Sequence, residues 1–381
     1  MENRFFEVVV IGAGVMGSAA AYHLAKARQR VLLLERFEIG HSQGSSHGES
    51  RIFRFAYNNP QYARLAMQCL PLWRALEAES GQRLLEVIGG LDLASEPAHH
   101  PAVDGVAEAL AQVGARFEVL DAPALAARYP QWQLGDAARA VFSPDSGFVR
   151  ATRSVQVMVA QAAKHGAAVR EREPVTEIIP GRPVEVVTET GRYQADKLII
   201  TGGAWANALL AFVGLRLPLK VTQEQVTYFR PLADPAQFHP ERFPIFIHWR
   251  SPAPAYGFPI IDRPGVKVGF HHEGYLVEDL DAPRQPREQT AQAVRAYLQA
   301  HLPGAAGEPF EPTACLYTTT PDEDFVIDFA PGMDNVVICS ACSGHGFKFG
   351  IGIGRALADL ALEGATEMNI AHVRLRASLG A

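Results

Sequence analysis

The sequence predicts an α/β protein in which a Rossmann-like nucleotide-binding domain is interleaved with an α+β domain containing a mostly antiparallel sheet. The first domain is predicted because an apolar run, Val8–Ile11, directly precedes a glycine-rich segment, Gly12–Gly17. A helical pattern follows, and a second apolar run ends at Glu35, which completes a βαβ unit. The second domain is predicted from two strands between residues 256 and 271, surrounded by proline-rich loops.

The segment Gly12-Ala-Gly14-Val-Met-Gly17 has the spacing of a dinucleotide-binding turn. Gly12 permits the tight turn, Gly14 lets the backbone approach a pyrophosphate, and Gly17 lets helix and strand pack closely. The helix N-terminus offers free N–H groups to phosphates. Glu35 lies 21 residues after Gly14, where a carboxylate accepts from ribose hydroxyls and disfavours a 2′-phosphate. NADP is therefore disfavoured, while the motif alone does not separate NAD from FAD.

Composition excludes several classes of protein. The chain has 381 residues, 48 % hydrophobic residues and a net charge of -6, which suits two domains or one interleaved pair. No run of Lys and Arg is present, so nucleic acid is not an expected partner. Four cysteines do not make a disulfide framework, and neither a signal peptide nor a membrane-length apolar run is visible. We expect a cytoplasmic protein without membrane association.

The segment from Gly40 to Arg54 is a loop of small residues with His47, Arg51 and Arg54 embedded in it. A solvated loop is one interpretation of this composition; a backbone wrapped around a ligand is the other. The loop leads towards a helical stretch, Gln61–Ala78, which we expect to be interrupted at Pro71. Two arginines three residues apart are predicted to share one face, where they suit a carboxylate.

The cysteines need separate interpretations. Cys315 is either a small buried hydrophobe on a strand or a nucleophile whose pKa the site must lower. Cys339 and Cys342 form a C-x-x-C pair, but no second pair completes a zinc site and the context is not that of thioredoxin. We therefore predict that this pair ends a buried strand and that the protein has no metal site. The following turn, Ser343–Lys348, places glycines and a lysine at the start of the last helix.

Three segments together resemble the monomeric sarcosine oxidase family, which includes N-methyl-tryptophan oxidase. They are the N-terminal glycine motif, the loop Gly-Ser-Ser-His-Gly-x-x-Arg-x-x-Arg at 44–54, and the stretch from Cys315 to Lys348. The resemblance runs through nearly the whole chain. It implies an FAD-binding domain of the glutathione-reductase and D-amino-acid-oxidase type, and covalently bound FAD. It also implies oxidation of secondary amino acids with O2.

The resemblance also implies roles for individual residues. Lys267 is expected at the flavin, where a cation activates O2, and Cys315 is expected to form a thioether to the flavin 8α-methyl group. Arg54 and Lys348 are expected to clamp the substrate carboxylate, with His345 beside them. The other expected catalytic residues are His271, Arg51, Tyr256 and Tyr317. The expected cofactor-binding residues are Gly12, Gly14, Gly17, Glu35, Arg36, Ser45, His47, Arg51, Val175, Cys315, Gly344, Gly346, Phe347 and Lys348.

The same resemblance implies the domain boundaries. We expect residues 1–80, 146–215 and 321–381 to form the FAD-binding domain, and residues 81–145 and 216–320 to form the substrate domain. A monomer is expected.

The predicted reaction is oxidation of the C–N bond of a secondary or N-methyl α-amino acid to an imine, which hydrolyses, with O2 reduced to H2O2. The substrate is expected to bind as the neutral amine, a form that the charges of Arg51 and His271 favour. Two alternatives are a dehydrogenase that passes electrons to a carrier, against which Lys267 argues, and a non-catalytic FAD-binding protein.

Overall fold

The computed structural model describes residues 4–232 and 234–376. Its α-helices are, in chain order, α1 Val15–Lys26, α2 Pro60–Ser80, α3 His100–Val113, α4 Ala122–Arg128, α5 Ala151–Lys164, α6 Ala206–Leu210, α7 Glu288–His301 and α8 Gly350–Glu363. Within these described ranges no helix is both long enough and apolar enough to cross a membrane.

The strands are numbered in the same way. They are β1 Phe5–Ile11, β2 Val31–Leu34, β3 Arg51–Phe53, β4 Leu85–Val87, β5 Gly90–Ala94, β6 Glu118–Asp121, β7 Arg139–Ser143, β8 Gly147–Val149, β9 Ala168–Arg170, β10 Val175–Ile179, β11 Val184–Thr188, β12 Gly191–Ile200, β13 Lys220–Phe229, β14 Ile245–Trp249, β15 Ala255–Phe258, β16 Val266–Phe270, β17 Tyr275–Leu276, β18 Pro309–Thr319, β19 Val326–Phe329 and β20 Val336–Ser340.

The first sheet is the nucleotide-binding sheet, in the order β10-β11-β12-β1-β2-β9, with β20 joined to β12 and β19 to β20. Its centre is parallel: Ile11 of β1 is in register with Leu34 of β2 and Ile200 of β12. The carboxyl ends of these strands therefore meet at one edge, which is where open α/β sheets bind ligands. The predicted βαβ unit is confirmed.

Helices α1 and α8 pack closely on one face of this sheet because α8 carries glycines where the helices meet. A Cβ at Gly350 or Gly354 would overlap Val15 or Ala19 of α1. This close packing fixes the N-terminal end of α1, and with it the glycine turn that precedes that helix.

The second sheet runs in the order β17-β13-β16-β15-β14-β5-β7-β6, with β18 also paired to β13. Its strand pairs are antiparallel except for the parallel pair β14–β5. The predicted mostly antiparallel sheet is therefore confirmed. Register places Lys267 opposite Tyr228 and opposite Phe258, and Cys315 opposite Glu224. The lysine and the cysteine thus lie on two strands of one sheet, β16 and β18, that both pair with β13.

A third, small sheet joins β3, β8 and β4. Strand β3 holds Arg51, which is in register with Val149 of β8. The strands of the first sheet lie between residues 5 and 34, between 168 and 200 and between 326 and 340, whereas those of the second lie between 90 and 143 and between 220 and 319. This alternation supports the interleaved domain boundaries, which stay a prediction.

The expected break at Pro71 is wrong. Helix α2 continues from Pro60 to Ser80 with Pro71 inside it. Proline removes one backbone donor and crowds the preceding turn. Pro71 is exposed, so water can reach the carbonyl that loses its partner. Buried residues on both sides of it, such as Leu65 and Trp73, keep the helix on the core.

Candidate active site

A cavity of about 580 Å³ extends from the carboxyl edge of the first sheet to the second sheet. Of the site residues that the sequence predicted, all but Gly17 line it. They are Gly12, Gly14, Glu35, Arg36, Ser45, His47, Arg51, Arg54, Val175, Tyr256, Lys267, His271, Cys315, Tyr317, Gly344, His345, Gly346, Phe347 and Lys348. Residues separated by more than 300 positions in the chain therefore share one cavity.

At the nucleotide end, the glycine turn lies against Thr201. Gly12 has a φ of +94°, and a Cβ at that position would lie 2.5 Å from the Thr201 carbonyl oxygen. Gly17 does not line the cavity, and a Cβ at that position would overlap the Gly12 carbonyl group. The packing role predicted for Gly17 is thus consistent with its position, although it does not line the cavity.

Glu35 closes this end of the cavity. Its Oε2 accepts from the Ala13 backbone N–H at 2.8 Å, and its Oε1 accepts from the Phe37 backbone N–H at 2.9 Å. Arg36 beside it pairs with Asp281 of the loop after β17 at 3.1 Å. A carboxylate at the end of β2 and a backbone turn at the end of β1 suit a ribose and a pyrophosphate.

The loop at 40–50 covers the middle of the cavity. Ser46 accepts from the Val15 N–H at 3.0 Å, and this bond ties the loop to the N-terminus of α1. His47 is buried, and its Nε2 has no hydrogen-bond partner in the described chain. Burial lowers the pKa of His47 to about 3, so its ring is neutral and one nitrogen is left for a ligand. These features fit an extended dinucleotide.

The two arginines of the loop do not share a helical face, so that expectation is wrong. Arg51 lies in β3, and Arg54 follows the strand, where side chains alternate. Arg51 donates to the backbone carbonyls of Ser50 at 3.0 Å and Ser45 at 3.1 Å. Both arginines nevertheless line the cavity, because the loop places them at different points along it.

Arg54 is buried and pairs with a buried aspartate. Its Nη1 donates to Asp92 Oδ1 at 3.0 Å and also to the Ala56 carbonyl oxygen. Asp92 Oδ1 accepts in addition from the Trp249 indole N–H at 3.2 Å. Burial raises the pKa of Asp92, and Arg54 opposes that shift. Nε and Nη2 of Arg54 make no hydrogen bond within the described residues, so they remain for a ligand.

Lys348 is buried, with 4 % of its surface exposed. It lies close to Arg54 in space, although the two residues are far apart in the sequence. Its Nζ donates to the Tyr57 hydroxyl at 2.8 Å and to the His345 carbonyl oxygen at 2.6 Å. Burial, followed by the charge of Arg54, lowers the pKa of Lys348 well below its usual value. A carboxylate bound between the two side chains would restore the charged form.

Lys267 is 4 % exposed and lies at the floor of the cavity on β16. Its Nζ donates to the Ser50 carbonyl at 2.9 Å and is 4.7 Å from the centre of the Phe258 ring. Burial, reinforced by Arg51, lowers the pKa of Lys267 to about 7. The amine therefore titrates near neutral pH, and a developing negative charge beside it would favour its protonated form.

Cys315 is buried on β18, and burial raises the pKa of its thiol while Arg51 opposes that shift. The expectation that the site lowers this pKa is wrong for the protein without its cofactor. Cys342 also lines the cavity, with its Sγ 3.9 Å from the Leu316 carbonyl oxygen. Cys339 lies in strand β20 and is buried, in accord with its predicted structural role.

Tyr256, Tyr317 and His271 form one wall of the cavity. The Tyr256 ring packs edge-on against His271 with 6.5 Å between the ring centroids, and His271 Nδ1 is 3.4 Å from the Tyr317 hydroxyl. Burial lowers the pKa of His271 well below its usual value, so the ring is neutral. His271 therefore does not supply the charge that was expected to favour a neutral amine; an uncharged imidazole instead offers a hydrogen-bond acceptor.

His345 is also neutral, because burial and Lys348 lower its pKa to about 3. Its ring stacks on Phe325 with 4.6 Å between centroids, and its Nδ1 is 3.2 Å from the Tyr57 hydroxyl. The side chain thus holds the turn at 343–346 in place next to Lys348.

Three residues at this end of the cavity carry no recognisable motif in the sequence: Tyr57, Asp92 and Trp249. Asp92 offers a signal, since a charged residue in the apolar run Gly90–Ala94 needs a buried partner. The sequence around Asp92 does not identify this partner, because Arg54 is 38 residues away in the chain. Tyr57 and Trp249 read as ordinary core aromatics.

No group of three or more His, Cys, Asp or Glu residues suited to a metal ion is present in residues 4–232 and 234–376.

Comparison with known proteins agrees with this geometry. Residues 7–360 match the model of the family described as FAD dependent oxidoreductase. Human peroxisomal sarcosine oxidase is 34 % identical over 379 residues, which cover 98 % of this chain and 96 % of that protein. N-methyl-L-tryptophan oxidase of Yersinia pestis is 32 % identical over 376 residues, covering 97 % of this chain and 98 % of the relative.

Among solved structures, the open form of NikD, an unusual amino acid oxidase essential for nikkomycin biosynthesis, superposes with a TM-score of 0.86. It is 28 % identical and the match covers 99 % of both chains. The expected D-amino-acid-oxidase type of fold is thereby confirmed. This chain belongs to the FAD-dependent oxidoreductase family that includes sarcosine oxidase and N-methyl-L-tryptophan oxidase.

Proposed function

We propose that this protein is an oxidase of a secondary or N-methyl α-amino acid, with O2 as the electron acceptor and H2O2 as a product. One observation carries the proposal: Arg54 and Lys348, both buried, face the same cavity as Lys267 and Cys315. Anion-binding groups and groups suited to a redox cofactor thus share one enclosed space. The relatives named as oxidases of sarcosine and of N-methyl-L-tryptophan support the substrate class.

FAD would be held along the cavity by the glycine turn, Glu35 and the loop at 40–50. Bound FAD supplies the acceptor for the two electrons of the C–H bond next to nitrogen. The protein residues bind and orient the substrate, exclude water and set the local charge.

The substrate carboxylate would bind between Arg54 and Lys348. Arg54 offers Nε and Nη2 as donors. The Lys348 amine takes up a proton and becomes charged when the carboxylate binds beside it. The neutral His271 ring would accept a hydrogen bond from the substrate nitrogen, and Tyr256 and Tyr317 would form the wall beside it. The resulting imine hydrolyses in water after release.

Lys267 would stabilise negative charge that develops on O2. It lies on the cavity floor, and its amine becomes cationic when an anion develops near it. A preorganised cation in a site that excludes water stabilises such charge strongly. This role favours an oxidase over a dehydrogenase that uses a protein or quinone carrier.

Cys315 would form a covalent thioether to the 8α-methyl group of FAD. Its position in the cavity and the nearby Arg51 and Lys267, which favour the thiolate, support this assignment. We also propose a monomer located in the cytoplasm, although the human relative is named peroxisomal. Gel filtration with light scattering tests the monomer, and cell fractionation tests the location.

A peroxide-release assay over sarcosine, N-methyl-L-tryptophan, pipecolate and proline tests the function. The purified yellow protein should release H2O2 with at least one of them and should bleach under anaerobic conditions. Bleaching without O2 consumption would favour the dehydrogenase. A colourless protein that no amino acid reduces would contradict both enzymatic assignments.

A further inference from the structure

Asp92 is a buried acid that the proposed reaction does not use. It lies on β5 with 2 % of its surface exposed, behind Arg54, and does not itself line the cavity. Both hydrogen bonds to its Oδ1, from Arg54 at 3.0 Å and Trp249 at 3.2 Å, come from residues that do line the cavity. A buried carboxylate stays charged only where it is paired. Because the partners of Asp92 line the cavity, its negative charge contributes to the electrostatic potential at the substrate end.

The charges around this end form a small set. Arg54 and Asp92 are in direct contact, and Lys348 interacts electrostatically with both. His271 and His345 are neutral for the reasons given above. The described residues nearest the carboxylate position therefore contribute one guanidinium, one carboxylate and one amine that gains a proton when an anion binds.

We propose that Asp92 limits the substrate to an amino acid with a single carboxylate, by cancelling one of the two positive charges at the substrate end. The proposal rests on the proposed function, and specifically on carboxylate binding by Arg54 and Lys348.

The physical reason is the cost of an uncompensated buried charge. When a monocarboxylate binds and Lys348 is protonated, two positive and two negative charges balance. A substrate with a second carboxylate at the same end adds one negative charge that has no partner there. With Asp92 uncharged, the balance is reversed, and a dicarboxylate would match the two cations.

Asp92 is thus a positioning and charge-setting residue. It engages only Nη1 of Arg54, and within the described residues Nε and Nη2 make no hydrogen bond. An Asn at this position retains an oxygen that accepts from both Arg54 and Trp249, so Asp92→Asn changes the charge while keeping the contacts.

The test uses malonate and its monoamide, malonamate, which have nearly the same shape and differ by one charge. Each is titrated into the purified flavin-containing holoenzyme at pH 8, and Kd is measured from the change in flavin absorbance. We expect the wild type to bind malonamate more tightly than malonate. Asp92→Asn should shift the ratio of the two Kd values about tenfold towards malonate. Asp328→Asn, which removes the same charge from a pair with Arg374 outside the cavity, should leave the ratio unchanged.

A ratio that Asp92→Asn changes by less than about threefold overturns the proposal. Tighter binding of malonate than of malonamate by the wild type also overturns the proposal, and this measurement does not require the variant to fold. If neither carboxylate perturbs the flavin and no N-methyl amino acid is oxidised, the proposed function is overturned as well. Oxidation of such an amino acid with an unchanged ratio overturns only the role of Asp92.

Discussion

Lys348 donates a hydrogen bond from Nζ to the Tyr57 hydroxyl at 2.8 Å, although the two residues are 291 positions apart in the chain. The guanidinium carbon of Arg54 is 4.4 Å from the centre of the same tyrosine ring. Tyr57 is therefore in contact with both side chains of the proposed carboxylate site.

Tyr57→Phe should weaken substrate binding more than it slows turnover. The variant removes the acceptor for Lys348 and leaves the buried amine with His345 alone. Losing one hydrogen bond to a charged group predicts a KM increase of about tenfold, with kcat changed less than about threefold. Steady-state kinetics with the best substrate of the peroxide screen measures both constants.

Tyr62→Phe is the matched control for that variant. The Tyr62 ring stacks on Tyr57, but its hydroxyl donates to Asp324 rather than accepting from Lys348. A KM increase of equal size in both variants would show that packing, and not the bond to Lys348, is responsible.

Lys267→Met should separate reduction of the enzyme from its reaction with O2. The variant keeps the length of the side chain but removes the cation, and loss of one group that stabilises developing charge costs roughly 100-fold or more in rate. We expect O2 consumption to fall by that factor while anaerobic bleaching by the amino acid changes much less. Stopped-flow absorbance follows each half-reaction. Oxidase turnover that stays at the wild-type level would refute the role of Lys267.

Cys315→Ser should leave the flavin dissociable. After acid precipitation, the wild-type pellet should stay yellow, and the Cys315→Ser supernatant should carry the colour. Cys342→Ser, which changes another cysteine that lines the cavity, should keep a yellow pellet. Colour in the wild-type supernatant would contradict the thioether.

His23 should make the protein sensitive to mild acid. It joins α1 to the Ile351 carbonyl group at 3.1 Å, and burial lowers its pKa to about 4 from a usual value of 6.5. Between these two values the unfolded chain binds more protons than the folded one, so stability falls as pH falls from 6.5 towards 4.

His23→Gln keeps a side-chain donor for Ile351 but does not titrate. Relative to this variant, the wild type should lose up to about 1.4 kcal/mol of unfolding free energy per pH unit in that window. Urea unfolding at several pH values measures the difference. Parallel stability curves for the two proteins would contradict the assignment.

Much of the nucleotide half was predictable because its signals are local. The glycine spacing of 12–17, the apolar run before it and Glu35 after it lie within a single βαβ unit. The helix through Pro71 was not predictable in the same way. A proline disfavours a helix locally, but burial of the residues around it keeps α2 intact.

The candidate site was predictable only as a set of residues. Arg51 and Arg54 were expected on a helical face, whereas the structure places one in a strand and the other after it. His271 was expected to be a cation, but its environment of buried rings makes it neutral. Both differences arise because side-chain direction and burial depend on neighbours that are distant in sequence.

The sequence by itself determined the cofactor fold, the family and many of the residues that line the cavity, since each depends on short motifs whose spacing is visible in the chain. Only the tertiary structure decided which of those residues are charged and what they contact. The pairing of Arg54 with Asp92 and of Lys348 with Tyr57 requires strands and helices from opposite ends of the chain to meet. The pKa of each group follows from that burial, because desolvation acts on the folded protein and not on the motif.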